Sequence, residues 1–127
     1  MDVATKVLIA AAKSVLGEFE LSKEFSAGSV GAAIQTSKGN IYTGVCIDLG
    51  CGLGFCAEVA AISEMLKHRE THITAIVAVT KNGIISPCGR CREMIVQVDR
   101  RNVDCSVMVS ENNIMTLRQL LPNHWLS

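Results

Sequence analysis

Residues 56–98 read CAEVAAISEMLKHRETHITAIVAVTKNGIISPCGRCREMIVQV, and this stretch decides the architecture. Its first part, Cys56 to Lys67, sets Ala57, Ala60, Ala61, Met65 and Leu66 along one side of a helix. Ile73 to Val79 is a nearly continuous apolar run, the pattern of a strand buried on both faces. Lys81-Asn82-Gly83 is turn chemistry. Residues 88–98 then form a second helix, with Pro87 fitting just before its first turn. Asp104 to Ser110 reads as the next strand. Helices alternating with buried strands must cover a sheet.

Working outward, Val3, Val7, Ala11 and Val15 recur every four residues and predict an amphipathic helix over 2–16, ended by Gly17. Residues 18–27 read as a loop anchored by Phe19, Leu21 and Phe25. Val30 to Gln35 and Ile41 to Ile47 are strands, and Ser37-Lys38-Gly39-Asn40 between them makes an antiparallel hairpin. A glycine-rich loop follows through Gly50, Gly52 and Gly54. Beyond Ser110, Glu111-Asn112-Asn113 is a tight turn and Ile114-Met115 starts a short returning strand. Thr116 to Leu121 is a last helical turn, stopped by Pro122. The expected fold is α/β: a three-layer α/β/α sandwich around a mixed five-stranded sheet, in one domain spanning residues 1–127.

With 127 residues, 49% hydrophobic and 19% charged, the chain has enough apolar side chain for an ordinary core. Twelve basic residues balance twelve acidic ones, so the basic stripe of a nucleic-acid binder is missing. The N-terminal apolar run Val7 to Ala12 is six residues long between Lys6 and Lys13, too short for a signal peptide or a membrane span. The expected location is therefore cytoplasmic, with the six cysteines reduced and available for metal binding or chemistry.

Cys56-Ala57-Glu58 and Pro87-Cys88-Gly89-Arg90-Cys91 both fall at helix starts. Thiolates there face unpaired N–H groups and the positive end of the helix dipole, which favours ionisation and metal ligation. Cys88 and Cys91 lie one helical turn apart, so two sulfurs can grip one ion, with Cys56 as the third ligand. Three protein ligands leave one zinc position open, as in catalytic rather than structural sites. Glu58 lies two residues past Cys56 and can point into the same cavity without being a ligand. Two alternatives remain: a closed four-cysteine zinc site with Cys51, and a redox pair of Cys88 and Cys91. Cys46 and Cys105 read as core residues, and His68, His72 and His124 lack mutual ligand spacing.

A Cys-x-Glu followed by Pro-Cys-x-x-Cys resembles the zinc deaminases, most closely the small cytidine deaminases and the related blasticidin-S deaminases. The resemblance extends to Val30-Gly31-Ala32-Ala33, Tyr42-Thr43-Gly44-Val45, Ser86 through Arg92, and Leu120-Leu121-Pro122. It implies a cytidine deaminase-like fold with one zinc per chain on Cys56, Cys88 and Cys91. It also implies that Glu58 carries protons from an activated water to N3 and to the leaving amino group of a cytosine ring. The backbone N–H at Ala57 would touch the base. The implied partner is a small nucleoside, without nucleic acid or membrane, and the assembly a homotetramer with shared active sites.

Where the family carries Asn-x-Glu to hold the ribose, this chain has Cys46-Ile47-Asp48. A thiol cannot replace an amide's donor and acceptor pair. A phenylalanine of the family corresponds to Gly28, with Trp125 as a candidate aromatic wall near the other end. Val59 stands where three-cysteine relatives place a charge-neutralising arginine, which leaves Arg90 and Arg92 to offset the thiolates. The expected function is hydrolytic deamination of cytidine, deoxycytidine or an analogue. The alternatives are a blasticidin-S-type or other modified-nucleoside deaminase and a non-catalytic zinc-stabilised domain.

Overall fold

The computed structural model describes residues 1–126. Helix α1 (Val3–Val15) begins at Asp2, whose carboxylate accepts from the Thr5 N–H at 2.7 Å, and buries Leu8 and Ala12. Seven strands follow in chain order: β1 (Phe19–Ser22), β2 (Phe25–Thr36), β3 (Ile41–Leu49), β4 (Ile73–Thr80), β5 (Gly83–Ile85), β6 (Ser106–Ser110) and β7 (Asn113–Thr116). Helix α2 (Ala57–Lys67) joins β3 to β4, and α3 (Gly89–Val98) with a 3-10 turn over Arg100–Asp104 joins β5 to β6. The short α4 (Leu117–Leu120) opens with a Thr116/Gln119 capping box.

The sheet's spine is the expected five strands in the order β3-β2-β4-β6-β7, with β4–β6 the parallel pair and the rest antiparallel. Two short strands add to it. β1 pairs with the start of β2, in the segment expected to be a loop, and β5 pairs with the end of β4. β6 starts at Ser106 rather than Asp104, because residues 100–104 form a 3-10 turn that Asp99 caps by accepting from the Arg101 N–H at 3.0 Å.

Alternation along β2 and β4 divides the apolar residues into two cores. Ala32, Ile34, Ile76 and Ala78 pack against Ala61, Ile62 and Met65 of α2 and Ile95 and Val96 of α3. Ala33, Val77 and Val79 face the other way, against Leu8 and Ala12 of α1. One helix on one face and two on the other give the three layers.

Gly44 on β3 sets how closely α2 approaches. A Cβ there would lie 2.6 Å from the Ala60 Cβ and 2.7 Å from the Ala57 carbonyl oxygen. A glycine therefore lets the start of α2, and with it Cys56 and Glu58, sit directly on β3.

The β2–β3 hairpin is pinned to the α2–β4 connection by the buried Glu70 carboxylate. It accepts from Thr36 Oγ1 at 2.6 Å, from Asn40 Nδ2 at 2.9 Å and from the Tyr42 hydroxyl. These hydrogen bonds, that from Thr36 foremost, hold its pKa down from 4.5 to about 2. A folded-state value below the unfolded one means that the carboxylate stabilises the fold above the unfolded pKa. That contribution fades as pH falls toward the folded value. Glu70→Gln is expected to melt below wild type at pH 7, with the gap narrowing between pH 4.5 and 2. A gap that stays constant across that range would exclude Glu70 as its source.

Candidate active site

Both helix starts place cysteine at the N-cap, Cys56 for α2 and Cys88 for α3, and neither side chain makes a capping hydrogen bond. Their sulfurs are free to point away from the helices and toward each other. Cys56 Sγ lies 3.5 Å from Cys88 Sγ, which lies 3.5 Å from Cys91 Sγ. All three sit within 4.8 Å of one another and none is in a disulfide. Tetrahedral zinc with Zn–S near 2.3 Å sets its sulfurs roughly 3.8 Å apart. The donor set and its spacing fit that ion. Among the described residues this is the one group of three histidine, cysteine or acidic side chains arranged to hold a metal. Cys51 is exposed and outside the cluster, so the closed four-cysteine site is not formed.

Burial pushes the Cys91 thiol well above its ordinary value, with the Glu58 charge adding to the effect, and burial likewise raises Cys56. Cys88 ionises most readily. Burial opposes this, but the nearby Cys91 N–H, the Cys91 and Cys56 thiols and the Arg90 N–H at the helix start bring it below the ordinary value. A soft divalent cation supplies what such a packed thiol group lacks, because thiolate is the ligand form and the cation offsets its charge.

Glu58, in the first turn of α2, is 3% exposed, and burial raises its pKa. Helix geometry turns it into the same cavity as Cys56 and Cys88. A buried carboxyl whose charged form is disfavoured is suited to both accepting and returning a proton. The cavity has a volume of about 430 Å³, within the range of small-molecule sites. Cys46, Asp48, Ala57 and Arg90 are among the residues that line it.

The far wall differs in detail from that reading. Between Ala27 and Gly31, β2 carries extra residues opposite Cys46. The Cys46 thiol fills this bulge: it accepts from the Val30 N–H at 3.3 Å, lies 3.2 Å from Ser29 Oγ and donates to Asp48 Oδ2 at 3.6 Å. Gly28 belongs to the same bulge, with φ +85°, and a Cβ there would strike the Gly17 carbonyl, so no phenylalanine fits. The aromatic residue in the wall is Phe55, bridged to Ile47 through two 3.0 Å backbone hydrogen bonds. Trp125 does not line the cavity of its own chain. The residue is 78% exposed, and its backbone N–H donates to Glu93 Oε1 at 2.9 Å.

Arg90 and Arg92 part company. Arg90 is exposed at the cavity edge, whereas the Arg92 guanidinium is spent on Pro87, Ser86 and Leu120. None of these Arg92 contacts is to a thiol.

Residues 6–107 match the family profile of the cytidine and deoxycytidylate deaminase zinc-binding region. This chain belongs to that deaminase family. It is 33% identical over 106 residues to the blasticidin-S deaminase of Bacillus cereus, covering 73% of this chain and 74% of that one. It is 35% identical over 79 residues to a probable cytidine deaminase of Dictyostelium discoideum, covering 60% and 54%. The crystal structure of cytidine deaminase from Mycobacterium tuberculosis superposes on it with a TM-score of 0.81 at 25% identity, covering 98% of each chain. The chain thus carries a zinc-binding deaminase domain, and Cys56, Cys88 and Cys91 are its group of side chains arranged so that they could hold one metal ion.

Proposed function

We propose that this family member hydrolyses a cytosine-containing nucleoside, cytidine or deoxycytidine or an analogue, to the uracil form with release of ammonia. The observation that carries the reading is the buried Glu58 carboxyl in one cavity with the thiol cluster. Zinc, when bound, acidifies water from a pKa of 15.7 to about 7. Glu58 takes the proton released and delivers it to ring N3. The water oxygen would bond to C4, and its second proton would pass through the same carboxyl to the exocyclic nitrogen, which leaves C4 as ammonia while the oxygen remains as the uracil carbonyl. One water is consumed for each ammonia formed. The Ala57 N–H at the start of α2 orients the base, and Phe55 lies in the wall beside it.

Arg90 takes the role of offsetting the thiolates, whose three negative charges exceed the two of zinc. Cys46 and Asp48 form the sugar side of the site. The thiol serves the bulge and steadies Asp48, so the carboxylate meets a sugar hydroxyl with little help from Cys46. This altered wall, with the 33% identity to a blasticidin-S deaminase, favours a modified nucleoside as the second reading.

Exposed apolar side chains at Val3, Val7, Phe19, Leu21 and Trp125 support a homotetramer whose sites are shared between chains. The six free cysteines support a reducing, cytoplasmic setting, and pyrimidine salvage is the process such an activity serves. No helix among the described residues is long and apolar enough to cross a membrane.

The test is ammonia release from cytidine, deoxycytidine, cytosine and blasticidin S by wild type and Cys46→Asn. At least one cytosine nucleoside is expected to react, and Cys46→Asn is expected to raise kcat/KM for cytidine more than for cytosine. Inertness of the zinc-loaded protein toward all four would contradict the function. Equal gains on cytidine and cytosine would show that position 46 does not read the sugar.

A further inference from the structure

The guanidinium of Arg92 sits where three parts of the chain meet. Nε donates to the Pro87 carbonyl at 2.9 Å, Nη2 to Ser86 Oγ at 3.1 Å and Nη1 to the Leu120 carbonyl at 3.4 Å. Its backbone N–H closes the first turn of α3 on the Cys88 carbonyl at 3.0 Å. Cys88 itself starts that helix without a side-chain capping bond. The segment that delivers this sulfur is therefore held from outside, by one planar donor gripping the two residues before it. The third contact reaches the end of α4, so that grip is braced against the C-terminal segment. The next residue, Glu93, adds a second tie by accepting from the Trp125 N–H.

We propose that Arg92 is a positioning residue for the metal centre. Its fork locks the Ser86-Pro87-Cys88 turn to the end of α4 and keeps the Cys88 sulfur in register with Cys56 and Cys91. The inference rests on the three-thiolate reading of the centre but not on which substrate the site accepts. Residues that orient metal ligands from behind typically change metal affinity 10–100-fold when lost. Arginine suits the task because its planar group presents several fixed donors, whereas lysine is a flexible point charge. Positioning and charge compensation therefore predict opposite results for Arg92→Lys, which keeps the charge and loses the fork.

The experiment compares wild type, Arg92→Lys and Arg92→Ala, each loaded with zinc. Zinc affinity is read by competition with a chromophoric chelator, and site geometry by the visible spectrum after cobalt(II) substitution. Both variants are expected to bind zinc about 10–100-fold more weakly and to give altered cobalt spectra. Wild-type affinity and spectrum in Arg92→Lys would overturn the proposal in favour of a charge effect. A lowered melting midpoint with unchanged zinc affinity would overturn it as well, reducing Arg92 to general packing. If Arg92→Ala does not fold, Arg92→Lys decides alone. No readout depends on ammonia release, so an inactive protein with these metal results would count against the deaminase reading and not against this one.

Discussion

Glu58→Gln is expected to keep its fold and its zinc while losing turnover by about 10⁴-fold. One positioned proton carrier contributes roughly 10²–10⁴ in rate, and Glu58 serves two successive transfers, which puts the loss at the upper end. Glutamine has the same shape and cannot ionise, so the carboxyl's burial penalty disappears with the charge. The melting midpoint should therefore stand at or above wild type. Metal analysis and single-turnover kinetics check both halves. Activity within tenfold of wild type on a substrate that wild type deaminates would remove Glu58 from the proton path.

The second large effect is the loss of a ligand. Cys91 is fully buried, and Cys91→Ser is expected to lower zinc from one per chain to a small fraction, with a fall in melting midpoint. Zinc that binds only the folded chain stabilises it by mass action. Apparent binding free energies for structural zinc run to about 10–16 kcal/mol, comparable with a domain's whole stability of about 5–15 kcal/mol. Wild type stripped by a chelator should melt near the variant, because both lack the same ion. Cys51→Ser serves as the control and should retain full zinc, since its side chain is exposed and outside the cluster. A Cys91→Ser protein with one zinc per chain would exclude Cys91 from the ligand set.

Periodicity, continuous apolar runs and turn residues together were enough to place the three longer helices and the five spine strands, the short β7 through the turn before it rather than through any buried face. The two strands that escaped lack that signal. Phe19–Ser22 is exposed at all four positions and pairs only with the first residues of β2. Gly83–Ile85 is three residues long and follows directly from its turn. Asn102 escaped for a different reason. It is fully buried, donating to the Thr71 and Ile95 carbonyls and accepting from the Ile73 N–H, a pin that only the assembled fold creates.

At the site, spacing and residue type were sufficient to single out Cys56, Cys88, Cys91 and Glu58, because their chemistry depends on helix starts that are local in the chain. The wall opposite them was harder to read. Which way Cys46 faces, and that it serves the Val30 N–H, follows from a bulge in β2 for which residues 28–30 carry no unambiguous mark. Phe55 was overlooked in favour of Trp125, although it directly precedes the first ligand. Arg90 and Arg92 look alike in sequence. Two residues along a helix turn the second one by about 200°, and only the fold shows that this brings it to Leu120 rather than to the cavity.

The most direct test of the central claim, an open three-thiolate zinc centre beside a buried carboxyl, is X-ray absorption at the zinc edge of the loaded protein. Three sulfur neighbours at about 2.3 Å and one lighter neighbour at about 2.0 Å are the predicted shell. Four sulfurs would contradict it and would mark the site as closed and structural.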